Sequence, residues 1–116
     1  MRHHKKTKKL GRTGSARKAL VKGLLRSFFL HGSIRTTETR AKTIKPLIER
    51  LITVSKTNTI THRRLIIQKT GSRIVAQSLL NTIGPKYQSR KGGYTRITKL
   101  GKRKGDDASV VILSYV

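Results

Sequence analysis

Only four carboxylate side chains are available in this 116-residue sequence to balance 28 lysines and arginines, which leaves a formal charge of +24. Most of the cations therefore have no internal ion-pair partner and must face water or an external anion. Self-repulsion on this scale destabilises a compact chain, and a bound polyanion relieves it. The charge alone favours a nucleic-acid-binding protein over an ordinary soluble monomer.

The positive charge is concentrated at two places in the chain. Residues 1–18 and residues 86–104 each contain eight lysines and arginines and no acid. The other twelve cations are spread among apolar residues in the middle of the sequence. Two basic segments that flank an amphipathic body are typical of nucleic-acid binders.

Composition also excludes several classes of protein. The sequence has no cysteine, which rules out disulfides and thiolate zinc sites and is compatible with a reducing cytosol. No apolar run approaches the ~18 residues of a membrane span. The basic N-terminus lacks the apolar stretch of a secretory signal, and the amphipathic pattern of a transit peptide is missing before Leu20. We therefore expect a cytoplasmic protein without a membrane partner.

The hydrophobic pattern predicts an α+β fold, with about four helices packed on a small three-stranded sheet and an extended basic N-terminal arm. Residues 1–14 form the arm, because they contain too few large apolar residues to bury a face. Residues 15–116 form a single domain. Its predicted helices cover 15–31, 38–56, 61–69 and a segment that begins after Ser72 and stops at Gly84-Pro85.

The remaining segments predict three strands, over residues 33–37, 94–100 and 108–116. The last two are joined by a short glycine-flanked turn and should form a hairpin. The nearly continuous apolar run from Val110 to Leu113 predicts that the third strand is the central one.

Several stretches of the sequence together resemble bacterial large-subunit ribosomal protein seventeen. They are Met1-Arg2-His3, Gly11-Arg12-Thr13, Arg17-Lys18-Ala19-Leu20, Ile34-Arg35-Thr36-Thr37-Glu38-Thr39-Arg40-Ala41-Lys42, Gly84-Pro85-Lys86-Tyr87 and Arg90-Lys91-Gly92-Gly93-Tyr94-Thr95-Arg96-Ile97. The resemblance extends over the whole chain in the same order. It implies a structural, ribosome-bound component of the large subunit, with large-subunit rRNA and neighbouring ribosomal proteins near the nascent-chain exit as partners.

We predict rRNA contacts in three regions and at scattered positions of the body. The arm and the start of the first helix contribute Arg2, His3, Lys5, Lys6, Lys8, Lys9, Arg12, Arg17 and Lys18. The glycine-rich loop contributes Lys86, Arg90, Lys91, Gly92, Gly93, Tyr94 and Arg96. The hairpin turn contributes Lys102 and Arg103, and the body contributes Arg35, Arg63 and Arg64.

The glycine-rich loop has the residue types that suit phosphate. Two glycines let the backbone approach a phosphate closely, and arginine forks onto two phosphate oxygens. Tyr87 or Tyr94 would either stack on an unpaired base or pack on the sheet. Specificity would then come more from RNA shape than from base edges.

Catalysis is not predicted, because the necessary groups are missing. Asp106-Asp107 is the only carboxylate cluster, and it lies in a turn where it should ease basic repulsion. Gly101-x-x-x-Gly105 lacks the Lys-Ser/Thr that completes a phosphate loop. We expect no enzyme activity, metal, cofactor or homo-oligomer. A DNA-compacting nucleoid protein is the main alternative, and a cationic membrane-active protein is a weaker one.

Overall fold

The computed structural model describes residues 14–116 and consists of helices and a three-stranded sheet. In chain order the elements are α1 (Gly14–His31), β1 (Ser33–Thr37), α2 (Glu38–Ser55), α3 (Ile60–Thr70), α4 (Arg73–Ser78), a π-helical turn (Leu79–Ile83), α5 (Gly84–Lys86), β2 (Thr95–Lys102) and β3 (Ser109–Tyr115). The predicted α+β architecture is confirmed. The predicted arm lies outside the described residues, apart from Gly14, which begins α1.

Side-chain caps mark the starts of α2 and α4, and glycines mark the ends of α1 and α3. Thr37 caps α2 by accepting a hydrogen bond from the Arg40 N–H at 3.4 Å, and Ser72 caps α4 through Val75 at 3.2 Å. Gly32 and Gly71 adopt left-handed φ values of 82° and 70° directly after α1 and α3. The sequence therefore carried its own signals for most of these boundaries.

The Gly84-Pro85 pair does not stop the fourth helix, so that prediction is wrong. The backbone stays right-handed helical from α4 through the π turn and α5, and we call this continuous run the fourth helix. The Gly84 N–H reaches back five residues to the Leu79 carbonyl, and Pro85 follows in the first turn of α5. The wider π turn directly before Gly84 accommodates the proline, which has no N–H to donate.

The sheet is antiparallel with the order β1-β3-β2, so the prediction of a central third strand is confirmed. One face carries Ile34, Leu113 and Ile97 side by side and packs on the helices. The opposite face carries Arg35, Ile112 and Thr98 in the next row. A bulge between Lys99 and Gly101 interrupts the β2–β3 ladder near the turn.

The hydrophobic core lies between the helices and the inner face of the sheet. Its fully buried members come from the helices and from β3 and include Phe28, Ile44, Ile48, Ile52, Ile66, Val75, Leu79 and Leu113. Since the helices pack on one face only, the outer face of the sheet keeps its arginines exposed and its Val110 and Ile112 half-buried.

Candidate nucleic-acid interface

The glycine-rich loop between the fourth helix and β2 presents its basic residues to solvent. Arg90, Lys91, Gly92 and Gly93 are all exposed. Gly93 has a φ of +65°, which favours glycine, whereas an added Cβ on Gly92 would meet nothing within 4 Å. The loop thus exposes the Arg90 and Lys91 side chains beside an unobstructed backbone at Gly92.

Tyr94 holds this loop against α2 from inside the protein. Its hydroxyl donates to the Arg90 carbonyl at 3.1 Å and shares a 3.2 Å hydrogen bond with the Thr53 hydroxyl. Lys56 Nζ also donates to the Arg90 carbonyl and lies 4.9 Å from the centre of the Tyr94 ring. The Arg90 carbonyl is therefore held by Tyr94 and by Lys56, the residue directly after α2, while Thr53 of α2 binds the tyrosine hydroxyl.

Glu49 fixes the start of β2 directly after the loop. Its Oε2 accepts hydrogen bonds from the Thr95 hydroxyl at 2.8 Å, from the Thr95 N–H at 3.2 Å and from Lys45 Nζ at 3.1 Å. Burial raises the pKa of Glu49, but the hydrogen bonds from Thr95 and Lys45 outweigh it, so the pKa lies below its ordinary value. The charged carboxylate is the form that this arrangement stabilises.

The rings of Tyr87 and Tyr94 do not face solvent. They are 4% and 1% exposed and meet edge to face, with their centres 5.3 Å apart. The Tyr87 hydroxyl donates to the carbonyl of Val116 at 3.0 Å. This corrects the idea that either ring stacks on a base: Tyr94 packs inside and supports the loop, because its apolar ring is better buried than displayed.

The outer face of the sheet continues the basic surface beyond the loop. Arg96 of β2 and Arg35 of β1 lie on this face, opposite Ser114 and Ile112 of β3 respectively. Both arginines are exposed. Arg35 also lines an open hollow of about 360 Å³ together with Leu100, Lys102 and Arg103. The fold thus brings predicted residues from β1, β2 and the hairpin turn onto one surface.

Two of the cations at the hairpin turn are paired with carboxylates, so the turn carries less unbalanced positive charge than its lysines and arginines indicate. Arg103 binds Asp106 through two hydrogen bonds of 3.2 and 2.6 Å, and Lys102 lies 3.5 Å from Asp107. The hydrogen bond from Arg103 lowers the pKa of Asp106 to about 2. The expected role of the two aspartates, which was to ease basic repulsion, is confirmed. An RNA contact by Arg103 would have to exchange this carboxylate for phosphate.

The remaining predicted residues are not gathered with the loop. The seven between Arg2 and Arg12 lie outside the described residues. Arg17 and Lys18 are near the start of α1. Arg63 and Arg64 are on α3, which packs against α1, α2 and α4. Lys86 is exposed beside the loop, with its Nζ 5.4 Å from the centre of the Tyr87 ring.

Sequence reasoning missed three side chains, two on α2 and one directly after it, that position the loop and the start of β2. Glu49, Thr53 and Lys56 follow one another at intervals of four and three residues, so they lie on one face of the helix. The spacing of these polar residues beside the apolar stripe of α2 was the available signal. What it could not show was the partner, which is more than 30 residues away in the chain.

Among residues 14–116 no three histidine, aspartate or glutamate side chains come together as a possible metal site. In the same part of the chain, every helix is too short or too polar to cross a lipid bilayer.

Comparison with known proteins gives one consistent result. The family model described as ribosomal protein L17 matches residues 20–116. A protein of Clostridium botulinum named large ribosomal subunit protein bL17 is 47% identical over 109 residues, which cover 94% of this chain and 96% of that protein. A protein of the same name from Clostridium perfringens is 46% identical over the same coverage. These relatives favour the ribosomal interpretation over the DNA-compacting one, and the chain belongs to the ribosomal protein L17 family.

Proposed function

We propose that this chain is a structural constituent of the large ribosomal subunit that binds and stabilises large-subunit rRNA during translation. Membership of the ribosomal protein L17 family supports this role. The observation that carries the proposal is the exposed loop Arg90–Gly93, whose backbone is fixed by Tyr94, Thr53 and Lys56 while its cations face outward. The protein would then be located in the cytoplasm, bound to the ribosome and beside other ribosomal proteins.

The physical basis of binding is the neutralisation of phosphate by a surface that is already in position. Each cation that meets a phosphate releases condensed counterions, which favours binding at low salt. A loop that is fixed before binding loses less conformational entropy when RNA arrives. The open glycine backbone at Gly92 allows N–H groups to donate to phosphate oxygens beside the Arg90 guanidinium.

The proposed role needs no chemical step by the protein. The four carboxylates of the chain are all engaged in ion pairs with lysine or arginine, and two of those pairs are in the hairpin turn. We therefore infer a non-enzymatic function in which affinity comes from phosphate contacts and specificity comes from RNA shape.

A salt titration of rRNA binding tests the loop. The double variant Arg90→Gln with Lys91→Gln is compared with Lys42→Gln plus Arg50→Gln, which removes the same charge from exposed positions on α2. Loss of two phosphate contacts lowers the slope of log K against log salt by roughly 1.5, at 0.7 to 0.9 per contact. The control double variant should keep the slope of the wild type.

A second measurement tests the ribosomal assignment itself. The wild-type chain should co-sediment with large subunits through a gradient of moderate salt, and its depletion should produce defective particles. Release from the particles in moderate salt, together with normal particles after depletion, would reject the proposed function. Equal affinity for duplex DNA and for folded rRNA at physiological salt would also count against it.

A further inference from the structure

A second cluster of cations lies at the turn between α3 and α4, outside the surface described above. It consists of Lys22 and Arg26 on α1, and Lys69 and Arg73 on either side of Gly71. All four side chains are exposed. We call this cluster the α3–α4 basic patch. None of its members was among the RNA-binding residues predicted from the sequence.

Gly71 lets the α1 side chains of the patch lie close to the turn that carries Lys69 and Arg73. Its φ of +70° ends α3, and a Cβ built at this position would lie 3.1 Å from Lys22 Cδ and 3.4 Å from Arg26 Nη1. The side chains of Lys22 and Arg26 therefore lie directly over the turn. Lys69 and Arg73 are each two residues from Gly71 along the chain, so four cations from three helices share one small region.

No acid in the described residues balances this patch. Glu38, Glu49, Asp106 and Asp107 are the only acids of the chain, and each is paired with a different cation, namely Lys42, Lys45, Arg103 and Lys102. Four like charges held around one turn repel each other, and an external anion with several negative groups would relieve that repulsion. The patch is thus an unbalanced charge that the fold maintains.

The patch and the glycine-rich loop lie at opposite ends of the fourth helix. Gly84 packs directly on the Ser55 carbonyl at the end of α2, and the neighbouring Lys56 holds Arg90 of the loop. From Gly84 the fourth helix leads back to Arg73 beside Gly71. Eleven residues separate Gly84 from Arg73, which at the α-helical rise of about 1.5 Å per residue is at most roughly 16 Å.

We propose that the α3–α4 basic patch is a second RNA-phosphate surface, so that the protein bridges two RNA segments, one at the patch and one at the glycine-rich loop. The inference rests on the proposed function and adds a second contact to it. RNA is favoured over an acidic protein because the whole chain carries a surplus of 24 positive charges, which only a polyanion of high charge density balances.

Salt titration of rRNA binding by the full chain tests whether the patch contacts phosphate. The double variant Arg26→Gln with Lys69→Gln should lower the slope of log K against log salt by roughly 1.5. The matched control, Lys42→Gln with Arg50→Gln, should leave the slope unchanged. Circular dichroism establishes that each variant is folded before its binding is measured.

Crosslinking tests whether two RNA segments are bridged, and it leaves the patch intact. A photoreactive residue replaces Gln68, which is exposed near the patch, or Gln88, which is exposed beside the loop. In large subunits that contain the labelled chain, the two positions should crosslink to different rRNA segments. Crosslinks of Gln68 to a ribosomal protein, or to the same RNA segment as Gln88, would overturn the proposal.

The two proposals fail in different ways. If the patch variant matches the control while Arg90→Gln with Lys91→Gln loses slope, the second surface is rejected and the proposed function stands. If neither variant changes the slope and the wild-type chain does not bind rRNA, the proposed function is rejected as well.

Discussion

Glu49 and Thr95 join the middle of α2 to the first residue of β2, with both the hydroxyl and the N–H of Thr95 donating to Glu49 Oε2. The two residues are 46 positions apart in the chain. Hydrogen bonds to a charged, partly buried carboxylate are stronger than those between neutral groups. This contact therefore ties the helical layer to the sheet at the point where the glycine-rich loop ends.

Replacement of Glu49 by glutamine should destabilise the fold by about 1–2 kcal/mol, because the charge that accepts three hydrogen bonds is lost. Urea denaturation of the full chain measures the change in the free energy of unfolding. Asp107→Asn makes the same change of charge at a side chain that is 79% exposed, and it should leave the midpoint nearly unchanged. Equal effects of the two substitutions would contradict the structural role of Glu49.

The contribution of Glu49 should depend on pH in one direction. Its pKa in the folded protein lies below the ordinary value of 4.5, so the folded state favours the charged form. The stabilisation is fully present above pH 4.5 and is lost as the pH falls through the lower, folded pKa. The difference in unfolding free energy between wild type and Glu49→Gln should therefore shrink as the pH is lowered from 4.5 through the folded pKa. A constant difference over that range would refute this linkage.

The two glycines of the loop should respond differently to alanine. Gly93→Ala should cost about 1 kcal/mol of stability, because its φ of +65° is unfavourable for a residue with a Cβ. Gly92→Ala should leave stability nearly unchanged, since an added Cβ meets nothing within 4 Å. If phosphate approaches the backbone here, Gly92→Ala should weaken rRNA binding despite its normal thermal unfolding. Full binding by this variant would place the RNA elsewhere on the loop.

Removing the Tyr94 hydroxyl or the Tyr87 hydroxyl distinguishes an effect on the position of the loop from an effect on the stability of the fold. Tyr94→Phe removes the hydrogen bonds to Arg90 and Thr53, whereas Tyr87→Phe removes the one to Val116. Each change should cost about 1 kcal/mol on unfolding, because a partly buried hydroxyl loses its hydrogen bonding. Only Tyr94→Phe should also weaken rRNA binding, which a filter-binding assay at fixed salt detects. Equal loss of binding by both variants would show a stability effect alone.

Alanine at two helical glycines should change stability in opposite directions. A Cβ on Gly84 would lie 2.2 Å from the Ser55 carbonyl oxygen, so Gly84→Ala forces α2 and the fourth helix apart and should cost about 3 kcal/mol. Gly23→Ala, within α1, meets nothing within 4 Å and should stabilise the protein by up to about 1 kcal/mol. Thermal unfolding of both variants tests this, and a neutral Gly84→Ala would contradict the close helix contact.

The elements of this fold were readable from the sequence because their signals are local. Apolar residues at helical spacing defined α1, α2 and α3, and Ser72 marked the start of the fourth helix. The apolar run at Val110–Leu113 identified the central strand. The exception was the end of the fourth helix, where a π turn before Pro85 accommodates a residue that normally stops a helix.

By itself, the sequence determined the charge surplus, the order of the elements and the likeness to a ribosomal protein family. Composition, hydrophobic periodicity and short motifs can be read without knowing which distant residues meet. Only the tertiary structure decided that Tyr94 is buried, that Arg103 is paired with Asp106 and that Lys22 and Arg26 lie over Gly71. Apart from the local Arg103 pair, these contacts join segments far apart in the chain. They exist only because helices and sheet pack in one particular way, which local residue patterns do not specify.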